Sequence, residues 1–248
     1  MDLIIGGTSE SREFIENING NDYVVSVATD SGTEFLETKN VHIGRMNYEQ
    51  MLEFSKEKRI SRIFDLSHPF ALIVTDNVKK VAKELGIEYY RYIRPYTEDI
   101  DMGIKVFSVE ECMEEVSKLN GNFLFTTGSK NIHDFETVRR DNRFIYRVLP
   151  ALESIQICNA NNVKLEDIIA VLGPFSKAFN KVLFEDYKID YCVMKDSGGS
   201  SGTTEKIEAC KENNVIPIVI ARRDEDGIDS MEELIKIQKE GILNGKIL

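Results

Sequence analysis

The chain has 248 residues, of which 42% are hydrophobic and 29% are charged, a composition typical of a soluble globular protein rather than a disordered one. This length is enough for one large domain or two small ones. With 31 basic and 42 acidic residues, the formal net charge is −11 at pH 7. That balance argues against nonspecific binding to nucleic acid or to an anionic membrane, although a local cluster of arginine and lysine could still hold an anionic ligand.

The cysteines and histidines give no metal-binding pattern. The four cysteines include no CxxC pair, and the three histidines are equally scattered. We therefore expect buried free thiols and no zinc or redox site. The N-terminus enters a strand at once, without the features of a signal peptide, and no apolar run approaches the length of a membrane span. The sequence predicts a cytoplasmic protein.

The chain opens on a short apolar strand that leads into two glycines, Gly6 and Gly7, and then into Thr8 or Ser9 as the cap of a helix. Glycine adopts backbone angles closed to other residues and has no side chain to hold a ligand away. Free amide hydrogens and the positive end of the helix dipole can then bind a phosphate. The turn lacks the third glycine of the dinucleotide fingerprint, so a tight turn without a ligand is the alternative.

Short apolar runs alternate with stretches of helical periodicity almost from end to end. This alternation predicts βαβ units with parallel sheets, and about eleven strands are too many for one ordinary open sheet. We therefore predict an α/β protein with two doubly wound domains. The stretch from Arg94 to Gly103 breaks the pattern, and the predicted domains are residues 1–98, which bind a dinucleotide, and residues 99–248, which bind the substrate.

Ligands of such sheets bind beyond the carboxyl ends of the strands. The turns there are rich in glycine, proline and hydroxyl residues. The loop from Lys195 to Gly202 holds three glycines and three serines after a buried strand, and it could bind an anion with Lys195 as a point charge. A flexible connection is the alternative. Lys130 ends a second loop of this kind, for which a capped helix start is the alternative.

Two further residues stand at strand ends. His68 follows Asp65 and could donate a proton or stack on a ligand, although a lone histidine is more often structural. Asp30 follows the second strand, about twenty residues after the glycine turn, where an acidic residue often binds the adenosine ribose and disfavours a 2′-phosphate. If Asp30 has that role rather than being an ordinary turn aspartate, NADH is preferred over NADPH.

Taken together in this order, the turns resemble the precorrin-6A reductase family. The resemblance covers nearly the whole chain, and one departure is Ala221-Arg222-Arg223, where the family tends to have arginine followed by proline. The matching stretches are Gly6-Gly7-Thr8-Ser9-Glu10-Ser11-Arg12, Asp65-Leu66-Ser67-His68-Pro69-Phe70-Ala71, Tyr92-Ile93-Arg94-Pro95, Thr126-Thr127-Gly128-Ser129-Lys130, Arg147-Val148-Leu149-Pro150, Gly173-Pro174-Phe175-Ser176, Lys195-Asp196-Ser197-Gly198-Gly199 and Glu205-Lys206.

The resemblance implies two Rossmann-like domains with the active site in the interdomain cleft. It also implies NADH or NADPH as the cofactor, with no metal or flavin. The reaction would be reduction of one ring double bond of precorrin-6A, or of its cobalt form, to precorrin-6B in corrin-ring (vitamin B12) biosynthesis. Such a substrate is an anionic tetrapyrrole with many carboxylates, which dispersed cations at the strand ends would bind.

We assign candidate roles to the residues of these turns. The predicted cofactor-binding residues are Gly6, Gly7, Thr8, Ser9, Glu10, Arg12, Asp30 and Ser67. The predicted substrate-binding residues are Arg94, Ser129, Lys130, Arg147, Ser176, Lys195, Ser197 and Gly198. The proton that accompanies the hydride could come from His68, from Lys195 or from water.

Two other functions fit the same architecture. One is a different NAD(P)-dependent reductase or epimerase, which would bind the cofactor without selectivity for a corrinoid. The other is a non-catalytic two-domain protein that closes on a small ligand, although such proteins are commonly exported. Fold alone does not separate these alternatives. The chain could work as a monomer.

Overall fold

The computed structural model describes residues 1–18, 20, 22–29, 36, 38–95, 97, 103–198 and 202–240. In this part of the chain, strands and helices alternate. The strands are β1 (Asp2–Ile5), β2 (Tyr23–Val27), β3 (Val41–Ile43), β4 (Arg62–Asp65), β5 (Glu88–Arg91), β6 (Ile104–Val106), β7 (Asn122–Phe125), β8 (Arg143–Val148), β9 (Ile168–Ala170), β10 (Tyr191–Lys195) and β11 (Ile216–Ile220). The helices are α1 (Ser9–Asn17), α2 (Tyr48–Glu57), α3 (Leu72–Leu85), α4 (Val109–Lys118), α5 (Ile132–Glu136), α6 (Leu152–Ala160), α7 (Lys177–Asp186), α8 (Thr203–Asn213) and α9 (Met231–Glu240).

The chain forms two compact units, Met1–Arg94 with Asp224–Leu248, and Pro95–Arg223. The first unit has a five-stranded sheet in the order β3-β2-β1-β4-β5, and its neighbouring strands pair in parallel. One face of this sheet is buried under α2 and α3, and the other under α1 and α9. Burial on both faces explains why β1 and β2 are almost entirely apolar, with Asp2 and Ser26 as the polar residues.

Helix α9 differs from the sequence prediction, which gave all of residues 99–248 to the second domain. The side chain of Leu234 is fully buried in the core of the first unit, together with Phe14 of α1. The apolar stripe of α9 therefore packs against the first sheet, although α9 follows the last strand of the second sheet in the chain. The predicted boundary at residue 98 lies outside the described residues and stays a prediction, as does the predicted cleft.

The second unit has a six-stranded sheet in the order β6-β11-β10-β7-β8-β9, with parallel neighbours throughout its described residues. One face presents Leu124, Ile145 and Cys192 to a core that includes residues of α7 and α8. The other face carries an aromatic cluster, in which Phe125 of β7 lies 4.5 Å from Phe135 of α5 between ring centroids. Both sheets are thus covered on two sides, which confirms the predicted α/β class.

Each sheet has one point where the strand order reverses. In the first unit, the chain moves outward from β1 to β3 and then returns to place β4 on the other side of β1. In the second, β7, β8 and β9 run outward before β10 returns to the other side of β7. Ligands of open α/β sheets bind at such reversals, outside the carboxyl ends of the strands. The turns after β1, β4, β7 and β10 are therefore the places where a site is expected.

The remaining expectations concern cysteines, metals and membranes. Cys112, Cys158, Cys192 and Cys210 are buried and free, as their spacing predicts. Among the described residues, no group of histidine, cysteine and acidic side chains could hold a metal ion. No helix of the described chain is long and apolar enough to cross a membrane.

Candidate active site

The turn after β1 depends on glycine at two successive positions. A Cβ atom on Gly6 would lie 2.8 Å from Cγ1 of Val25, so no larger residue fits where β1 passes β2. Gly7 has φ +92°, a conformation that L side chains rarely adopt, and a Cβ built on it would meet no atom within 4 Å. The space beside Gly7 is open, so a ligand can approach its backbone amide at the start of α1.

Thr8 closes this turn through its side chain. Its hydroxyl accepts a hydrogen bond from the amide of Ser11 (3.1 Å) and donates one to the carbonyl of Leu66 (2.8 Å). Ser11 in turn accepts the amide of Thr8 at 3.1 Å, completing a capping box. The Thr8 hydroxyl therefore joins the β1 turn to the β4 turn, and its predicted contact with a phosphate stays a prediction.

Two predicted ligand-binding residues of the first unit bind each other. Nη2 of Arg94 donates to Oε2 of Glu10 at 2.8 Å, and both side chains are buried. Arg94 was expected to bind substrate and Glu10 to bind the cofactor, whereas in the structure their charges are compensated mutually. Ser9 is exposed and donates to the same carboxylate at 3.1 Å, and Arg12 is half-buried on the same helix.

The turn after β4 is held by a buried carboxylate. Oδ1 of Asp65 accepts the amide of Ser67 at 3.0 Å, and Oδ2 accepts the hydroxyl of Tyr89 at 2.9 Å. The hydroxyl of Ser67 lies 3.1 Å from that of Thr75 on α3 and accepts Nη1 of Arg91 at 3.0 Å. Ser67 is buried and these contacts hold it in the turn, and its predicted contact with the cofactor stays a prediction.

Arg91 at the end of β5 compensates this carboxylate. Its Nη1 lies 3.1 Å from Oδ1 of Asp65, and its Nε lies 2.9 Å from Oε2 of Glu225, in the segment that precedes α9. Burial alone lowers the pKa of Arg91, but the two carboxylates outweigh it, so the pKa is raised and the guanidinium stays charged. Burial and the charge of Asp65 raise the pKa of Tyr89, which remains a neutral hydrogen-bond donor.

His68 follows this network and is only partly buried. Its Nδ1 accepts the backbone amide of Phe70 at 3.2 Å. In the neutral ring, Nε2 therefore carries the proton. The link from Thr8 to Leu66 brings this turn against the glycine turn, so the structure places His68 near the predicted cofactor residues of the first unit. Asp30, the predicted ribose-binding residue, lies outside the described residues.

In the second unit, Lys130 and Lys195 lie close enough to repel each other. Lys195 is partly buried at the end of β10, and Lys130 is exposed in the turn after β7. Burial, together with the charge of Lys130, lowers the pKa of Lys195. Ser129 lies in the same turn, 3.5 Å from the hydroxyl of Ser154. These three predicted residues therefore share the strand ends at the reversal of the second sheet.

The turn after β10 repeats the arrangement found after β4. Oδ1 of the buried Asp196 accepts the hydroxyl of Thr97 at 2.6 Å and the amide of Gly198 at 3.3 Å. Its Oδ2 lies 3.6 Å from Nε of Arg222, which also donates through Nη2 to the carbonyl of Pro95 at 2.7 Å. Ser197 and Gly198, both predicted to bind substrate, are buried in this turn, and residues 199–201 lie outside the described part.

Arg147 lies on the other face of the second sheet from Lys195, as strand alternation and the pairing register require. Its Nη1 donates to Oδ1 of Asn180 at 2.8 Å, and its guanidinium carbon lies 4.8 Å from the ring centroid of Phe175. Phe175 stacks on Phe179 with ring centroids 4.4 Å apart. A Cβ atom on Gly173 would lie 2.8 Å from Cε2 of Phe175, so a larger residue at this position would displace the ring.

The sequence prediction missed several residues of these sites. Phe175 lies against Arg147, and Leu149 and Leu172 are exposed apolar residues at the ends of β8 and β9. Ser176 caps α7 by accepting the amide of Phe179 at 3.2 Å, and its predicted contact with the substrate stays a prediction. Asp196 was in a matching stretch and Arg222 in the stretch that departs from the family pattern, and neither carried a predicted role. An aspartate directly after a buried strand, with glycine two residues later, is the signal that could have identified the Asp196 turn.

A cavity of about 510 Å³ lies at the opposite, amino end of β8 and β9. Its wall includes Arg143 and Lys164, whose charges lie 2.7 Å from Asp167 and 3.9 Å from Glu166 respectively. Because these cations already have carboxylate partners, and because ligands of parallel sheets bind at the carboxyl ends, we do not place the active site there.

The first unit has the features of a dinucleotide-binding α/β domain. Its strand order, 3-2-1-4-5, is that of the Rossmann class, and its glycine turn and helix N-terminus stand at the reversal of that order. The chain matches the family described as "Precorrin-6x reductase CbiJ/CobK" over residues 3–239, and it belongs to that family. The family is one of oxidoreductases in cobalamin biosynthesis that use a nicotinamide cofactor.

Named relatives and a solved structure agree with this assignment. The chain is 33% identical over 230 residues to a cobalt-precorrin-6A reductase of Priestia megaterium, covering 90% of each chain. It is 31% identical to the enzyme of the same name from Salmonella typhimurium, covering 89% of this chain and 86% of that one. A solved CobK precorrin-6A reductase shares the fold with a TM-score of 0.78 at 18% identity, covering 94% of each chain.

We predict that Arg91→Met destabilises the protein by about 3–5 kcal/mol, because it leaves the buried carboxylate of Asp65 without a cation. The free energy of unfolding would be measured by urea titration. Lys118→Met is the control, since Lys118 pairs with Glu115 on the exposed surface of α4 and its loss should change little. Equal effects of the two substitutions would contradict the prediction.

Proposed function

We propose that this protein reduces one ring double bond of precorrin-6A or cobalt-precorrin-6A, with NADH or NADPH as the hydride donor, to give the corresponding precorrin-6B. The observation that carries the proposal is the match to the precorrin-6x reductase family over residues 3–239, which includes both units and every strand-end turn described above. Relatives that cover most of the chain are named for cobalt-precorrin-6A, and others, at 27% identity, for precorrin-6A.

We propose that the first unit binds the cofactor at the reversal between β1 and β4. The pyrophosphate would lie against the backbone of Gly7 and Ser9, where the space is open and the positive end of α1 points outward. This site fits the group, because a side chain at Gly7 would occupy the approach. The bound nicotinamide supplies the hydride, while the protein orients it and excludes the competing ring face.

Gly7→Ala should raise the dissociation constant of the reduced cofactor about 10-fold, because the added methyl group stands between the phosphate and the amide. Fluorescence titration with NADH and NADPH would measure it. Gly86→Ala is the matched control: Gly86 also has positive φ and open space around it, but it ends α3, away from the glycine turn. Both variants carry backbone strain, so weakened cofactor binding in both would contradict the assigned site.

We propose that the second unit binds the tetrapyrrole at the strand ends around β7, β8 and β10. Lys130 and Lys195 on one face of the sheet, and Arg147 on the other, would bind separate carboxylates of the substrate. The rings of Phe175 and Phe179, stacked on each other beside Arg147, add aromatic surface that a conjugated macrocycle could contact. Cations spread over both faces suit a wide ligand that carries acids around its periphery.

His68 is our first candidate for the proton donor, because it stands in the turn joined to the glycine turn and its Nε2 carries the proton of the neutral ring. Lys195 and water remain the alternatives, as in the sequence prediction. The donor would protonate the carbon next to the one that receives the hydride. Positioned proton transfer of this kind contributes about 10²–10⁴-fold to a rate.

His68→Ala should therefore lower kcat about 100-fold or more and change the pH profile of kcat, while the cofactor dissociation constant stays within about threefold of the wild-type value. His133→Ala is the control, since His133 is exposed on α5 and its Nδ1 lies 3.1 Å from Asn161. Unchanged turnover and an unchanged pH profile in His68→Ala would remove His68 and favour Lys195 or water.

The reaction itself can be tested by mixing the protein anaerobically with each ring and each reduced cofactor. We expect the ring to gain two mass units as the nicotinamide absorbance falls, and deuterium to pass from labelled cofactor to product. Because Asp30 stands about twenty residues after the glycine turn, we expect NADH to give the higher kcat/KM. Cofactor binding without change in either ring would instead favour another reductase or epimerase.

The acidic net charge of −11 gives no basis for a nucleic-acid partner, and we propose that the protein works in the cytoplasm as a monomer on a diffusible substrate.

A further inference from the structure

Arg147 at the end of β8 differs from three other arginines of the second unit in the groups that contact it. In the described part of the chain, its guanidinium forms no ion pair, and its partners are the amide oxygen of Asn180 at 2.8 Å and the ring of Phe175 at 4.8 Å. The three others each pair with a carboxylate: Arg139 with Glu136, Arg143 with Asp167 and Arg222 with Asp196.

The position of Asn180 follows from the packing of α7 on the sheet. Arg147 shares a face of β8 with Ile145, two residues earlier, and Ile145 lies in the same apolar core as Phe184 of α7. Asn180 precedes Phe184 by four residues, so both side chains lie on the helix face that covers β8. Only 1% of the surface of Asn180 is exposed. A buried amide therefore meets the guanidinium from the side of the helix.

The first turn of α7 fixes the orientation of this amide. Nδ2 of Asn180 donates to the carbonyl of Ser176 at 2.8 Å, and the backbone amide of Asn180 donates to the same carbonyl at 3.2 Å. A carbonyl only accepts hydrogen bonds and a guanidinium only donates them, so Oδ1 must face Arg147. An aspartate has no donor for Ser176, and it would also compensate the charge of Arg147. Asparagine satisfies both partners and adds no charge.

Arg147 keeps both its charge and its capacity to donate hydrogen bonds. Within the described residues, one of its five N–H groups has a hydrogen-bond partner, the amide oxygen of Asn180. Burial lowers the pKa of Arg147, whereas at Arg91 the same effect of burial is outweighed by two carboxylates. A guanidinium that is oriented in this way can form a charge-assisted hydrogen bond to an added carboxylate with little further ordering.

We propose that Asn180 is a positioning residue for substrate recognition: its neutral amide orients the guanidinium of Arg147 and leaves the charge to one carboxylate of the tetrapyrrole. The inference rests on the proposed function, which assigns Arg147 to the substrate. It adds that the charge state of the residue at position 180 determines how tightly the ring is bound. Asn180 acts through Arg147 and has no contact of its own with the substrate in this scheme.

The test compares two substitutions of Asn180 that differ in charge. Asn180→Asp places a carboxylate against the guanidinium, while Asn180→Leu removes the orienting hydrogen bond and adds no charge. Arg147→Met and the double variant Arg147→Met/Asn180→Leu show whether Asn180 acts through Arg147. Asn159→Asp is the matched control, because Asn159 is exposed near the end of α6 and undergoes the same change of charge.

The measurements are anaerobic calorimetric titrations of the whole protein with cobalt-precorrin-6A and with precorrin-6A, and steady-state kinetics with each ring. Titration with the reduced cofactor and thermal unfolding report whether each variant keeps the rest of the structure. A variant that binds the cofactor with the wild-type dissociation constant is folded, so a change in ring affinity is then specific to the substrate site.

We expect Asn180→Asp to weaken ring binding about 10- to 100-fold, as Arg147→Met does, because in both variants the substrate carboxylate meets no uncompensated cation. Asn180→Leu should weaken it about 3- to 10-fold, since the charge remains and only its orientation is lost. In the Arg147→Met background, Asn180→Leu should have no further effect. Asn180→Asp should raise KM for the ring and leave kcat within about threefold, and Asn159→Asp should match the wild type.

The outcomes separate this inference from the proposed function. If the wild type reduces either ring while Asn180→Asp binds it as tightly as the wild type, the role of Asn180 is overturned and the function stands. The same holds if Asn180→Leu weakens binding by an equal factor with and without Arg147. If the wild type neither binds nor reduces either ring, the proposed function is overturned, and the role of Asn180 in recognising a tetrapyrrole carboxylate is overturned with it.

Discussion

The first unit depends on one buried guanidinium, that of Arg91. It reaches Asp65 at the end of β4 and Glu225 in the segment that leads to α9, and it also donates to the carbonyl of Ser67 at 2.9 Å. A planar guanidinium can satisfy partners on several sides at once, which a lysine cannot do. The turn that carries His68 and the returning chain are therefore fixed by the same group, and neither can move without exposing a buried charge.

The second unit uses the same chemistry at its own reversal point. In both units an aspartate at the end of a strand accepts the amide two residues later, that of Ser67 in one and that of Gly198 in the other. In both, an arginine at or after the neighbouring strand lies against that aspartate. Turns held in this way are organised before a ligand arrives, so the ordering cost at binding is reduced.

The sequence allowed the fold to be predicted, because alternating apolar runs, helical periodicity and glycine turns are local signals. It could not show how side chains from distant positions would pair. Thr8 binds the carbonyl of Leu66, 58 positions away, and Arg94 binds Glu10, 84 positions away. Thr8, Glu10 and Arg94 were predicted to bind a ligand, and each has a partner within the fold. The placement of α9 was not predictable for the same reason, because its apolar stripe alone does not identify which sheet the helix covers.

Charge compensation distinguishes Arg147 from the arginines that pair with a carboxylate. In an acidic chain of net charge −11, carboxylates are plentiful, and Arg91, Arg143 and Arg222 all pair with one. Arg147 instead lies against an amide and an aromatic ring, which orient its guanidinium without neutralising it. Surface carboxylates farther away than about 10 Å are largely screened by salt, so the local charge decides what binds. A protein with an acidic surface can therefore bind an acidic ligand, provided that its binding cations are oriented by neutral partners.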